Sequence, residues 1–321
     1  MTMPASNVLL STRWSSRTLA IASMCAGVML LTVSDALTKW LVSRYGPFQI
    51  VFVRNLTALP FVIAMVVWAD GWRGLKSARP SVHFSRGLLT LGAAAAFITS
   101  LQTLPLAEAM ALVAAAPLFI AALSAMVLGE SVGRAQWATI AVGFVGVLIV
   151  TRPGAATFQP ASLLALAATA LYALLMVSAK WIDRRDGVRT FMFHLTLVAV
   201  LFSSFAVVTP WPQPQLTDAP LFLTMALAGT LGVTLLTQAF RLAPAAVVAP
   251  FDYTALVWAG VLGWLVWGET PDAATLIGAA IIIASGLYLV LTENRMPGLR
   301  LQPPYDGGAA YHWSKLAPSR R

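Results

Sequence analysis

Apolar residues run along this chain in long unbroken blocks, separated by short clusters of proline, glycine and charge. At about 1.5 Å rise per residue, a hydrocarbon layer of roughly 30 Å takes about 20 apolar residues per helix. The blocks predict ten membrane-spanning helices, over 19–42, 47–68, 86–104, 106–128, 135–151, 160–181, 189–209, 219–241, 244–267 and 272–292. Between them, "ADGWRGLKSARPSVHF", "TRPGAATFQP", "DRRDGV" and "PWPQPQLTDAP" gather turn-forming and charged residues where water can satisfy the backbone. The breaks at Leu104 to Leu106 and Leu242 to Ala243 demand very tight turns, and a continuous helix at either would lower the count to nine. A β-barrel is excluded because the blocks are continuous and not alternating.

Composition agrees: 59% of residues are hydrophobic and 10% charged, against roughly 45–50% and 25% in soluble domains. The fold class is an all-α integral membrane protein, with the lipid bilayer as its surroundings. The net charge of +9 does not imply a nucleic-acid partner, because the basic residues are not interleaved with aromatics on a soluble domain. They follow topology instead. With ten spans, one face carries Arg13, Arg17, Arg73, Lys76, Arg79, Arg86, Arg134, Lys180, Arg184, Arg185, Arg189, Arg241, Arg295 and Arg300. The other has Lys39, Arg44 and Arg152 alone. Positive loops stay in the cytoplasm, so both termini are expected there, with the protein multi-pass in the cell (inner) membrane. The apolar run after Arg13 and Arg17 is too long for a secretory signal core and reads as a first span preceded by a cytoplasmic segment, 1–18. The tail, 293–321, is basic and rich in Pro and Gly and reads as disordered. Cys25 stands alone, so no intrachain disulfide or cysteine-based metal site can form.

An internal repeat organises the blocks. "PLAEAMALVAAAPLFIAALSAMVLGES", Pro105 to Ser131, lies on "PAAVVAPFDYTALVWAGVLGWLVWGET", Pro244 to Thr270, without a gap at a shift of 139. Pro105 meets Pro244, Ala107 meets Ala246, Leu123 meets Leu262, Gly129 meets Gly268 and Glu130 meets Glu269. Identities among Ala and Leu carry little weight, but a paired Gly-Glu at the same helix end carries more. Five helices per copy is an odd number, so the second copy, 160–292, crosses the membrane in the opposite direction to the first, 19–151. Two inverted five-helix repeats are an architecture of secondary transporters, with substrate bound near the midplane where the halves meet.

The "LGES" and "WGET" that close the fourth and ninth spans, with the block "APFDYTALVWAGVLGWLVWGE", resemble the drug/metabolite transporter superfamily, specifically its EamA-type members. "SDALTKWLVSRYGPFQIVFVRN" is most similar to the branch that holds S-adenosylmethionine and riboflavin transporters. The resemblance covers about 19–292 and implies a small organic molecule as substrate; the inverted repeat favours its movement by alternating access over a channel.

An ionisable side chain inside a span faces the protein interior or a wet cavity, which makes it a site candidate. Asp252 lies roughly 12 Å into the ninth span, two residues after the helix-disrupting Pro250. It is either paired with Arg241 or capped by Thr254, or it serves a substrate or a coupling proton. Tyr253 and Trp258 offer flat surfaces for an aromatic or cationic solute, or simple packing. Arg54 needs an anion, and Asp35, at a similar depth, is its expected partner, as a structural bridge or as a gate charge. Lys39 follows one turn beyond Asp35. His194, the counterpart of Arg54 in the inverted half, is placed close in depth to Asp252 for proton exchange, or is hydrogen-bonded scaffold. Glu108, at the start of the fourth span, is accounted for by the favourable field of a helix N-terminus. Glu130 and Glu269 read as turn residues at the interface.

A membrane enzyme is not expected: His83, His194 and His312 lack zinc-motif spacing, and no phosphate-binding glycine loop is present. No cofactor is called for. A channel, a structural membrane protein and a homodimeric assembly remain compatible with the sequence.

Overall fold

The computed structural model describes residues 16–129, 132–181, 187–205, 212–243 and 245–293. Arg13, Glu130, Arg184, Arg185, Pro244, His312 and the tail beyond 293 lie outside the described residues. Helix α1 (Ser16–Val42) is followed by α2 (Pro47–Asp70), a 3-10 turn (Trp72–Leu75) and α3 (Pro80–Ser100). The fourth crossing is made of α4 (Leu106–Val113) and α5 (Ala116–Leu128), and the fifth is α6 (Arg134–Thr151). The second half holds α7 (Ala161–Val177), α8 (Val188–Phe205) and α9 (Ala219–Leu242). It closes with α10 (Ala245–Val248), a 3-10 turn (Ala249–Tyr253), α11 (Thr254–Trp267) and α12 (Ala273–Glu293). Eight crossings are long and apolar enough to span a membrane alone, and Ala161–Val177 and Arg189–Ser204 are shorter apolar helices that complete ten.

Both tight turns are real. Pro105 (φ −55°, ψ 143°) and Ala243 (φ −146°, ψ 156°) are extended and separate the crossings on either side. The third crossing runs from Pro80 to Ser100 and not over 86–104. Pro80 starts it early because the first turn of a helix needs no donor from it, and Pro105 pushes the preceding residues out of helical conformation.

The fourth and ninth spans, expected as single helices, are each broken, and the ends of their longer segments obey the repeat. Leu128 and Trp267, the last residues of α5 and α11, are related by the shift of 139. Each is followed by a glycine in the same left-handed conformation: Gly129 at φ 67°, ψ 25° and Gly268 at φ 68°, ψ 16°. Only glycine takes that shape without cost, so the paired Gly-Glu of the sequence is a paired helix stop.

The halves interleave. The closest helix pairs, α1 with α9, α6 with α12, α3 with α7 and α2 with α8, each join one half to the other. Without a hydrophobic driving force between helices in lipid, such pairs depend on close backbone contact at small residues. A Cβ on Gly27 would lie 2.9 Å from the Gly232 carbonyl and 2.4 Å from Leu236 Cδ1, and a Cβ on Gly232 would lie 2.9 Å from the Gly27 carbonyl. The expected effect of Gly27→Val is separation of α1 from α9, with a loss of roughly 1–3 kcal/mol. A thermal melt of purified protein in detergent measures it, and an unchanged melting temperature would show that the contact does not matter.

Candidate functional site

In both interrupted spans a tight helical turn replaces the regular α-helical bonding. At the first break the Leu112 carbonyl accepts from Ala115 N–H at 3.2 Å and from Thr169 Oγ1 of α7 at 3.3 Å. Pro117, just beyond, supplies no donor of its own. At the second break Pro250 sits in the 3-10 turn, and Thr254 Oγ1 donates to the Phe251 carbonyl at 2.7 Å. Non-helical backbone at membrane depth persists only where it is buried in protein or lines a wet cavity.

Asp252 occupies the second break. Protein surrounds it and strips water from its carboxylate, yet the side chain keeps exposed surface, the combination expected of a group lining an internal crevice. Neither arrangement considered for a structural role is present. Arg241 forms no ion pair with it, and the Thr254 hydroxyl is spent on Phe251. Among the described residues Asp252 has no hydrogen-bond or ion-pair partner; its charge instead acts on the hydroxyls of Tyr253 and of Tyr172 from α7. Tyr172 had no polar neighbours in sequence to mark it and emerges only from the packing of the two halves.

Asp35 and Arg54 feel each other's charge across the gap between α1 and α2. They do not close to a contact pair within 4 Å among the described residues. Both are enclosed and both retain accessible surface.

The remaining candidates lie elsewhere. His194 meets the Thr190 carbonyl through Nδ1 at 2.8 Å and stacks on His83 with ring centroids 5.0 Å apart. It sits in α8, which packs on α2 and α3, and the structure does not bring it to Asp252. Trp258 packs on the buried cluster of Ala20, Met24 and Val28. The Tyr253 hydroxyl is buried without a hydrogen-bond partner among the described residues, so close to Gly286 that a Cβ there would lie 2.0 Å from it. Glu108 is in the first turn of α4, as its place in the sequence suggests. It also feels Arg152 and Asp272, with which it lines a cavity of about 220 Å³.

The face that carries few cations shows what sequence reasoning missed. All three of its basic residues, each from the first half, are paired with carboxylates of the second. Lys39 Nζ pairs with Glu269 Oε1, donates to the Leu104 carbonyl at 2.8 Å and lies 5.1 Å from the Trp267 ring centroid. Glu269 Oε2 accepts the Leu106 N–H, the first of α4, at 3.0 Å. Glu269 is therefore a clamp as well as a turn residue, and Lys39 serves it and not Asp35. Arg44 Nη1 donates to Asp218 at 3.1 Å, joined there by the Tyr45 hydroxyl at 2.7 Å. Arg152 pairs with Asp272, whose carboxyl its guanidinium and the Thr275 N–H hold down at about 2, so the pair stays charged throughout the physiological range.

On the basic face, Arg189 binds Asp70 at 2.6 and 2.7 Å. Arg86, which the sequence places with the charges of the basic face, is fully buried: it caps α7 by donating to the Leu175 carbonyl at 2.5 Å and the Ser178 hydroxyl at 2.6 Å. A cation at a helix C-terminus meets the negative end of its dipole.

Because Lys39 is buried, losing its carboxylate strands a charge. Glu269→Gln is expected to destabilise by roughly 3 kcal/mol, and Lys39→Met to recover part of that loss in the double variant. A double-mutant cycle on thermal stability reads the coupling, and strictly additive effects would refute the clamp.

Ten apolar helices in two interleaved halves, with two of the spans broken, define the class: a multi-pass helical membrane protein. The chain belongs to the EamA-like transporter family, whose model matches residues 18–152 and 159–292. It is 30% identical over 268 residues to an S-adenosylmethionine uptake transporter of Rickettsia bellii, covering 82% of this chain and 90% of that one. It is also 30% identical over 285 residues to a riboflavin transporter of Rhizobium johnstonii, covering 86% and 92%. A solved crystal structure shares the fold at a TM-score of 0.59 and 22% identity, covering 86% of this chain and 98% of that one. The protein is a membrane transporter of small metabolites.

Proposed function

We propose that the protein is a secondary transporter that moves a cationic organic metabolite by alternating access, with Asp252 as the residue that meets the positive charge. One observation carries this reading: an exposed carboxylate at a helix break, with two tyrosines beside it and, among the described residues, no cation paired with it. An unpaired charge at membrane depth is costly, and a cationic solute offsets that cost when it binds. Tyrosine faces add attraction for a cation. Among the solutes named for relatives, S-adenosylmethionine carries a sulfonium and an amino-acid end, whereas riboflavin has neither. The separated Asp35 and Arg54 suit the ammonium and carboxylate of such an end. S-adenosylmethionine is therefore the first solute to test.

The three bridges on the sparsely charged face hold that side shut in this arrangement, and opening it requires Lys39 to leave Glu269. Proton coupling is a second reading, supported by the same lack of a counter-ion.

Asp252→Asn separates the two in liposomes. If Asp252 binds the solute, exchange of labelled S-adenosylmethionine and its gradient-driven accumulation fall together, by on the order of tenfold or more for one lost charged contact of 1.5–3 kcal/mol. If Asp252 carries the proton, accumulation is lost and exchange persists. Parental rates for both would sink each reading.

The imbalance of basic residues supports cytoplasmic termini in a cell membrane. A C-terminal reporter that fluoresces only in an oxidising outer compartment is expected to stay dark; a bright signal reverses the orientation.

A further inference from the structure

Outside the site, an apolar groove of about 500 Å³ runs along the outer side of α2. Leu56, Leu59, Pro60, Ile63, Ala64 and Val67 form one stripe of the helix, and Trp72 closes the end nearest the basic face. Trp72 reaches the groove because Gly71, at φ 67° and ψ −176°, folds the chain back just after α2 ends. That conformation is essentially confined to glycine, so the fold-back is written into the sequence. From Leu56 to Val67 the stripe rises roughly 16 Å, about half of a ~30 Å hydrocarbon layer. Immediately beyond Trp72 come Arg73 and Lys76, both exposed, neither in an ion pair among the described residues.

We propose that this groove binds one anionic diacyl phospholipid from the leaflet on the basic face, with an acyl chain along α2 and the phosphate on Arg73 and Lys76. Length, depth and charge agree on that occupant. The apolar part ends one leaflet deep, an amphipathic indole stands at the expected interface, and two cations follow where a headgroup begins. A second copy of the chain fits worse. A two-fold contact through this face would bring the Arg73 and Lys76 of both copies together, like charge against like.

The test is native mass spectrometry of the purified full chain, released from detergent containing equimolar phosphatidylglycerol and phosphatidylethanolamine. The expected result is a retained adduct that is predominantly phosphatidylglycerol. Arg73→Gln with Lys76→Gln should reduce that preference, by roughly fivefold for each cation removed. Ala64→Phe, which fills the groove and leaves the cations in place, should remove the adduct itself. Equal retention of the two lipids, or an unchanged preference in the double variant, would overturn the proposal. So would oxidative dimerisation through Ala64→Cys in a Cys25→Ser background, because the groove would then be covered by another copy.

Discussion

A hydrocarbon layer offers no partner for a backbone N–H or C=O, and the rest of this structure depends on that constraint. It forces ten crossings into helices and permits a helix to break only where other protein or trapped water covers the exposed groups. The fourth and ninth spans break at matching places, before Ala116 and Thr254. Because the helices of the two halves interleave, each break meets helices of the opposite half. Thr169 reaches from α7 to one exposed carbonyl, and Asp252 stands at the other break. The same property of the solvent that makes broken helices costly at the periphery makes them usable at the centre.

Charge follows the same logic with the sign of the outcome reversed. At the rim, the first half supplies Lys39, Arg44 and Arg152, and the second half answers with Glu269, Asp218 and Asp272. These pairs join the halves without filling the space between them. Glu269 does most, since one carboxylate holds a lysine of α1 and the first N–H of α4 together. Further in, among the described residues, Asp35 and Arg54 form no contact pair, and Asp252 has tyrosines for neighbours and no paired cation. Ion pairs thus join the two halves at one face of the bundle, while the carboxylate at the ninth-span break has none among the described residues.

Particular residues show where sequence reasoning succeeded and where it stopped. Span number, inverted duplication and family are local or additive properties. They rest on apolar run length, on an odd number of helices per copy, and on motifs such as the Gly129 and Gly268 helix stops, each readable without knowing what touches what. Pairings are different. Lys39 is one turn from Asp35 along α1, so sequence distance favours that pair. Tertiary packing instead brings Glu269 from the other half, 230 residues away. Arg86 looks like a loop charge until the end of α7 arrives to accept it, and Tyr172 is an ordinary residue of an apolar helix until α7 sets it beside Asp252. Hydropathy along the chain determined that there would be helices, how many, and in which two opposed sets. Which charges found partners, and which were left for a solute, was decided only when the two sets interleaved, because a Coulombic contact depends on distance in space and helix packing sets that distance independently of position along the chain.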